Sequence, residues 1–270
     1  RYRAFMFAQV RELLTQYGRI DIMWFDFTPT GKYGKTAEDW DAVGLLKMAR
    51  SYQPWLIIDN RLGLTDYADG GDFVTPECMK VRSWPKVNGV RVPWETCQTF
   101  SGSWGYYRDE ATWKSAEQLI SMLVGTVAHG GNLILNVGPD ATGRFPAQSC
   151  RLLDEIGAWM ALNGESIYGC GSADVPKPDW GWYTKKGDRI YAHILENPIG
   201  PLALTGLDAK RVGAVRRLAD GSEVLRGESW ITNAYENLAF VALGTIPHFT
   251  YLLPDPADTV LEIEYKEACL

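Results

Sequence analysis

A chain of 270 residues with a net charge of -6 and 46% apolar residues predicts a globular fold with a sizeable hydrophobic core. Lys and Arg form no dense blocks, which argues against nucleic acid or an anionic membrane surface as a partner. Five Cys without a CxxC pair and three widely separated His indicate neither a zinc site nor a redox dithiol. We therefore expect no metal and no cofactor, and no apolar stretch approaches the roughly 18 residues of a membrane span.

The first part of the chain predicts helices alternating with short buried strands. Helical spacing runs from the amino terminus to a stop at Gly18, and the apolar run 20–25 then predicts a strand. A capping box at Thr36 predicts the start of a second helix, and the apolar run 55–59 predicts a second strand. The order is helix, strand, helix, strand.

Residues 112 to 164 continue this alternation. A helix that begins at Thr112 or Ser115 ends at Gly130, the run 132–137 predicts a strand, and another helix ends at Asn163. Because the strands are apolar throughout, they predict a parallel sheet covered by helices.

The pattern changes near residue 171, after which short alternating segments replace the helices. The run 180–195 predicts a hairpin, and further β-type segments follow at 214–219, 238–243 and 259–265. The sequence therefore predicts an α/β domain over residues 1–170 and an antiparallel β-domain over residues 171–270.

Polar side chains follow three of the strands of the predicted parallel sheet. Asp26 closes the first strand, Asp59, Asn60 and Arg61 follow the second, and Asn136 lies near the end of the strand at 132–137. Active sites of parallel α/β folds form at the carboxyl ends of the strands, so these residues are candidates for one site. For any one of them alone, capping of the following turn is the alternative interpretation.

A loop-rich insertion at residues 70–106 carries two further carboxylates, Glu77 and Glu95, among several aromatic residues. Two carboxylates on different loops over one sheet face, with aromatic walls, suit glycoside hydrolysis. One acts beside the anomeric carbon, and the other protonates the leaving oxygen.

Six motifs, in this order and at this spacing, resemble the α-L-fucosidases of glycoside hydrolase family 29. They are "ELLTQYGRIDIMWFD", "DNR", "DFVTPE", "WETCQTFSGSWGY", "GGNLILNVGPDATGRFP" and "NGESIYG". The resemblance extends over residues 2–170. It implies an enzyme that removes fucose from fucosylated oligosaccharides or glycosides, and an exported, periplasmic or lysosomal location.

The resemblance also implies roles for the three carboxylates. Asp26 of the "WFD" motif corresponds to the nucleophile, which forms a covalent glycosyl-enzyme that water hydrolyses with net retention. Glu77 of "DFVTPE" corresponds to the acid/base. Glu95 of the "WE" motif is the alternative acid/base or a supporting residue.

Three more residues correspond to the family's sugar-binding positions. Arg61 of "DNR" is expected to bind the sugar near the nucleophile, and Trp24 and Trp104 are expected to line the fucose pocket. Where the family usually has Gly after the nucleophile, this chain has Phe27, which narrows the space beside the carboxylate.

The resemblance also implies the family's (β/α)8 barrel, which needs about 250 residues, whereas only about 170 precede the predicted β-domain. The expected fold is therefore a partial (β/α)8 TIM-type barrel, with its C-terminal strands and helices only, followed by an antiparallel β-sandwich. An open sheet exposes an apolar edge, which either a segment upstream of residue 1 or a neighbouring chain would cover. Of the two we expect a homo-oligomer in which the neighbour helps to complete the site. The alternatives are an inactive remnant that binds glycans or serves assembly, and a hydrolase with another sugar preference, such as galactosides.

Overall fold

The computed structural model describes residues 1–26, 34–64, 71–244 and 251–266, and Phe27 lies outside them. The chain forms two compact units. Unit 1 comprises Arg1–Glu77 and Ser83–Cys97, and unit 2 comprises Cys78–Arg82 and Gln98–Leu270. These units divide the chain differently from the domains predicted at 1–170 and 171–270, which stay a prediction.

Unit 1 has an α/β organisation. Its elements are α1 (Tyr2–Gln16), β1 (Ile22–Met23), α2 (Ala37–Trp40), α3 (Ala42–Tyr52), β2 (Ile57–Ile58), β3 (Lys86–Val87), β4 (Val90–Arg91) and β5 (Glu95–Thr99), of which β5 continues into unit 2. Strands β1 and β2 are parallel. The parallel order continues through isolated residue pairs: Asp59 with Phe73, Val74 with Trp94, and Glu77 with Cys97. The predicted parallel pairing is present, in shorter strands than the apolar runs suggest.

The predicted second helix is divided into two. Its capping box is present, with the Thr36 side chain accepting from the Asp39 N–H and the Asp39 carboxylate accepting from the Thr36 N–H. After the four residues of α2 the backbone turns at Asp41, whose φ is +53°. A short polar side chain tolerates this left-handed conformation, so α2 ends and α3 begins there.

A buried glutamine joins the end of α1 to the start of β1. The Gln53 amide nitrogen donates to the carbonyls of Leu14 and Gly18, each at 2.9 Å. Its amide oxygen accepts from the Ile20 N–H at 2.8 Å. These bonds satisfy carbonyls that the last helical turn leaves unpaired, and they fix the approach to the first strand.

Among the described residues, the parallel pair is covered by helices on one face. Ile58 packs in a core with residues of α1 and α3, among them Val10, Leu14, Leu45 and Ala49. Ile22 and Ile57 are paired across β1 and β2, and are 54% and 44% exposed. The face opposite the helices is thus apolar and open to solvent in this structure.

Unit 2 combines two long helices with antiparallel sheets. Its helices and strands are α4 (Ala116–Ala128), β6 (Asn132–Asn136), α5 (Ala147–Asn163), β7 (Gly171–Ser172), β8 (Gly181–Lys186), β9 (Arg189–Ile194), β10 (Leu202–Ala203), β11 (Val212–Arg217), β12 (Leu225–Arg226), β13 (Phe240–Ala242) and β14 (Thr259–Tyr265), with 3-10 turns at Gly164–Ser166 and Thr232–Ala234. A capping box between Ser115 and Gln118 starts α4, which selects Ser115 over Thr112.

Two antiparallel sheets of unit 2 share one hydrophobic core. One has the order β11-β14-β9-β8-β7, and the other has the order β10-β13-β12. Core residues come from both, for example Ile190 and Leu261 from the first and Leu202 and Val241 from the second. A separate cluster packs α4 and α5 with Tyr191 of the larger sheet. The predicted hairpin at 180–195 is present as β8 and β9.

The larger sheet contains a fully buried polar pair. His193 Nδ1 lies 2.7 Å from Asp258 Oδ2, and both side chains are 0% exposed. His193 Nε2 lies 3.1 Å from the Thr184 hydroxyl, which donates to the Ser166 carbonyl. Burial raises the pKa of Asp258, and the charge of His193 opposes that shift. These contacts satisfy both ring nitrogens inside the core.

No helix in the described ranges combines the length and apolar character that crossing a bilayer requires.

Candidate active site

Two of the predicted catalytic carboxylates meet at one arginine in unit 1. Arg61 Nη1 lies 3.1 Å from Asp26 Oδ1, and Nη2 lies 2.7 Å from Glu77 Oε2. Asp26 follows β1, Arg61 follows β2, and Glu77 pairs with Cys97 of β5. The residues thus come together at the strand ends, where the sequence places them.

Arg61 is held by neutral groups as well as by the carboxylates. Its Nε donates to the Thr75 hydroxyl at 2.6 Å, and Nη2 donates to the Thr75 carbonyl at 2.8 Å. The Asn60 side-chain oxygen accepts from the Thr75 N–H at 3.2 Å. The guanidinium carbon lies 4.6 Å from the centre of a Trp24 ring, a cation–π distance. These contacts fix the plane of the guanidinium, which a flexible ammonium group would not achieve.

The acidic neighbours of Arg61 stabilise its charged form. Burial alone would lower its pKa, but hydrogen bonds and charges from Glu77 and then Asp26 raise the pKa above its ordinary value. The Arg61 side chain is 17% exposed, against 62% for Asp26 and 42% for Glu77. A partly buried cation therefore holds two carboxylates that reach solvent.

The third carboxylate, Glu95, has a different environment. It opens β5, and its backbone N–H donates to the Val74 carbonyl at 3.0 Å. Burial raises the pKa of Glu95. The nearby indole N–H of Trp24 opposes this rise, although it does not form a regular hydrogen bond with Glu95. Within the described residues, Glu95 Oε1 is buried without a hydrogen-bond partner. A raised pKa keeps a proton on the group at higher pH, as a general acid requires.

A fourth carboxylate, Asp59, lies behind the strand ends and is 1% exposed. Its Oδ1 accepts from the Phe25 N–H at 2.9 Å, whereas Oδ2 has no hydrogen-bond partner among the described residues. Burial raises the pKa of Asp59 to about 6, and the backbone N–H groups of Phe25 and Arg61 oppose the shift.

Trp24 lies against Arg61, and its expected role in lining a fucose pocket stays a prediction. Trp104 belongs to unit 2. The Trp104 side chain is 42% exposed, and its carbonyl accepts from the Asn136 side chain at 2.7 Å. Its expected role in a fucose pocket stays a prediction.

The sequence did not identify Thr75 as part of the site, although the "DFVTPE" motif contains it. Its contacts with Arg61 join residues 14 positions apart, so no local pattern reveals them. In the part of the chain that the structure describes, no group of three or more His, Cys, Asp or Glu is arranged to hold a metal ion.

Comparison with known proteins points to one family. The family model for Alpha-L-fucosidase matches residues 1–165. The Alpha-L-fucosidase of Dictyostelium discoideum is 31% identical over 207 residues, covering 72% of this chain and 42% of that protein. The Plasma alpha-L-fucosidase of Homo sapiens is 30% identical over 240 residues, covering 83% of this chain and 48% of that protein. The chain thus spans a little under half the length of these two relatives.

Solved structures give the same result. Alpha-L-fucosidase isoenzyme 1 from Paenibacillus thiaminolyticus superposes with a TM-score of 0.90 at 42% identity, over 98% of this chain and 62% of that one. The α-L-fucosidase of Vibrio sp. strain EJY3 superposes with a TM-score of 0.77 at 26% identity, over 96% of this chain and 44% of that one.

Proposed function

Because the chain belongs to the α-L-fucosidase family of glycoside hydrolases, we propose that it hydrolyses terminal α-L-fucose from fucosylated glycans with retention of configuration. One observation carries the proposal: a single guanidinium, that of Arg61, binds both Asp26 and Glu77. Retaining glycosidases need two carboxyl groups roughly 5 Å apart, and a shared arginine holds the two groups near each other.

The proposed reaction has two steps. Asp26 attacks C1 of fucose, the glycosidic C–O bond breaks, and Glu77 gives its proton to the departing oxygen. A water molecule then gives a proton to the Glu77 carboxylate and attacks C1, which releases fucose and restores the Asp26 carboxylate. Two inversions at C1 give net retention. Arg61 keeps Asp26 oriented throughout, and Arg61 and Trp24 contribute to the sugar pocket, with Trp104 proposed as a further wall.

Glu95 is the alternative acid/base, and its environment favours it. Its pKa is raised by burial, whereas Glu77 shares an ion pair with Arg61 at 2.7 Å. Glu77→Gln and Glu95→Gln separate the two assignments. Loss of the general acid slows the hydrolysis of an alkyl fucoside far more than that of 4-nitrophenyl α-L-fucoside, because nitrophenolate leaves without protonation. The variant that shows this difference identifies the acid/base.

We propose that the architecture around the site is a partial (β/α)8 barrel, with its C-terminal strands and helices only, over residues 1–170. A β-sandwich over residues 171–270 follows it. The exposed pair Ile22 and Ile57 supports the barrel, because such residues point into a barrel interior. The same exposure supports a homo-oligomer in which a second chain covers this face and completes the site.

The second candidate function is a catalytically inactive fucosidase remnant that binds glycans or serves assembly. The 62% exposure of the Asp26 side chain favours it, because a nucleophile works best where water is excluded.

The test is hydrolysis of 4-nitrophenyl α-L-fucoside over a series of protein concentrations, with molar mass followed by light scattering. We expect turnover that rises as oligomers form and that is abolished in Asp26→Ala. Asp21→Ala is the matched control, because the Asp21 carboxylate pairs with exposed Arg19 in the same segment and its loss should leave turnover intact. Turnover in Asp26→Ala refutes the assignment of Asp26 as the nucleophile. Faster turnover of the aryl galactoside than of the aryl fucoside refutes the proposed preference for fucose. If the protein is inactive at every concentration but still binds glycans, the second candidate function, an inactive fucosidase remnant, is supported.

A further inference from the structure

Regular pairing between β1 and β2 ends before Asp26, the proposed nucleophile. β1 and β2 pair only at Ile22 with Ile57 and at Met23 with Ile58. Asp26 comes three residues after β1 ends. A nucleophile requires a fixed position, so another contact has to hold the backbone of residues 24–26.

The Asp59 carboxylate supplies such a contact. Its Oδ1 accepts from the N–H of Phe25, the residue directly before Asp26, at 2.9 Å. Asp59 itself lies two residues before Arg61, in the segment that follows β2. This one buried side chain therefore joins the main chain next to Asp26 to the segment that carries Arg61.

We propose that Asp59 is a positioning residue that sets the place of Asp26 relative to Arg61. The proposal rests on the proposed function, since it concerns the geometry of that reaction. Asp59 is 1% exposed, so it does not reach the substrate and acts only through the backbone of its neighbours. Without the acceptor, the Phe25 N–H loses its partner and the segment carrying Asp26 is free to shift. A shift of about 1 Å at a reacting group costs on the order of 10²-fold in rate.

Two variants at this position and one control test the proposal. Asp59→Ala removes the acceptor. Asp59→Asn keeps a carbonyl oxygen that can accept from the Phe25 N–H. The control is Asp72→Ala, because the Asp72 carboxylate accepts from the Ile58 N–H at 2.8 Å and pairs with Arg50 at 2.9 Å, and so also fixes the β2 backbone.

The kinetic readout is kcat and KM for 4-nitrophenyl α-L-fucoside. In Asp59→Ala we expect kcat to fall on the order of 10²-fold while KM changes less than about threefold, because the loss concerns the position of the nucleophile. Asp59→Asn should recover kcat to within roughly threefold of the starting protein, and Asp72→Ala should keep it within about twofold. Asp59→Ala with kcat within about twofold overturns the proposal, as does Asp59→Asn that is as slow as Asp59→Ala.

An NMR measurement tests the same geometry without turnover. The Phe25 amide signal reports its hydrogen bond to Asp59 directly. The Arg61 Nε–H signal reports the placement of the arginine that binds Asp26, through its hydrogen bond to the Thr75 hydroxyl. We expect both signals to be retained in Asp59→Asn, and we expect both to shift or broaden in Asp59→Ala. Identical signals in all three proteins overturn the proposal. If the unsubstituted chain hydrolyses no fucoside, the proposed function fails, and these signals alone decide whether Asp59 holds Asp26 and Arg61 in place.

Discussion

Replacing Arg61 by Met is expected to destabilise unit 1, mainly through the loss of its bonds to Thr75. Thr75 is 7% exposed, so its carbonyl and hydroxyl lose partners in a buried place, which costs about 1–3 kcal/mol. The two ion pairs add less, about 0–1 kcal/mol each, because Asp26 and Glu77 are 62% and 42% exposed and regain water. We expect a loss of about 1–5 kcal/mol, centred near 3 kcal/mol, in the free energy of opening of unit 1.

Hydrogen–deuterium exchange by mass spectrometry measures this opening for peptides of unit 1 separately from unit 2. A loss of about 3 kcal/mol corresponds to exchange that is roughly 10²-fold faster in the peptides around residues 57–62 and 73–77. Arg19→Met is the matched control: Arg19 pairs with Asp21 at 2.7 Å and lies over Trp55, but its side chain is 66% exposed. Equal effects of the two substitutions would refute the account of Arg61, as would unchanged exchange in Arg61→Met.

Three further predictions concern unit 2 and the pH dependence of unit 1. Asp258→Ala breaks a fully buried pair and should lower the unfolding free energy of unit 2 by about 3–5 kcal/mol in urea denaturation, whereas a loss below about 1 kcal/mol would exclude a structural role for the pair. Gly181→Ala should destabilise the hairpin of β8 and β9, seen as faster exchange there, because a Cβ at residue 181 would overlap the His193 carbonyl. The pKa of Asp59 is raised from 3.8 to about 6, so between these pH values the folded chain binds more protons than the unfolded chain. The contribution of Asp59 to stability is therefore full below about pH 4 and is lost as the pH rises through about 6. In urea denaturation at several pH values, the unfolding free energy of Asp59→Asn should lack this fall with rising pH.

Much of unit 1 could be predicted because its signals are local. Periodic apolar positions and the capping box at Thr36 depend on residues three or four apart, which a sequence displays directly, as does the capping box at Ser115 in unit 2. The meeting of Asp26 with Arg61 was also predictable, since both follow strands that were expected to be parallel neighbours. The retaining mechanism, the acid/base and the oligomer stay predictions.

Other features depend on contacts that a linear pattern does not show. The break at Asp41 falls inside a continuous amphipathic pattern, so the sequence suggests one helix where two form. The strand β5 lies in the insertion at residues 70–106, which the sequence predicts to be rich in loops. Its Thr96 and Gln98 are nevertheless buried, and the Gln98 amide donates to the Met79 carbonyl at 2.9 Å. A buried polar strand of this kind is stabilised by tertiary hydrogen bonds, which only the folded chain reveals.

The central claim is that Asp26 is the nucleophile of a retaining α-L-fucosidase. The most direct test is to incubate the protein with 2-deoxy-2-fluoro-fucosyl fluoride, whose fluorine slows hydrolysis of the glycosyl-enzyme, and to map the labelled residue by peptide mass spectrometry. The account predicts one fluorofucosyl group per chain, attached through an ester to Asp26 and absent from Asp26→Ala. A label on Glu77 or Glu95, or fucoside hydrolysis that proceeds without any labelled intermediate, would contradict it.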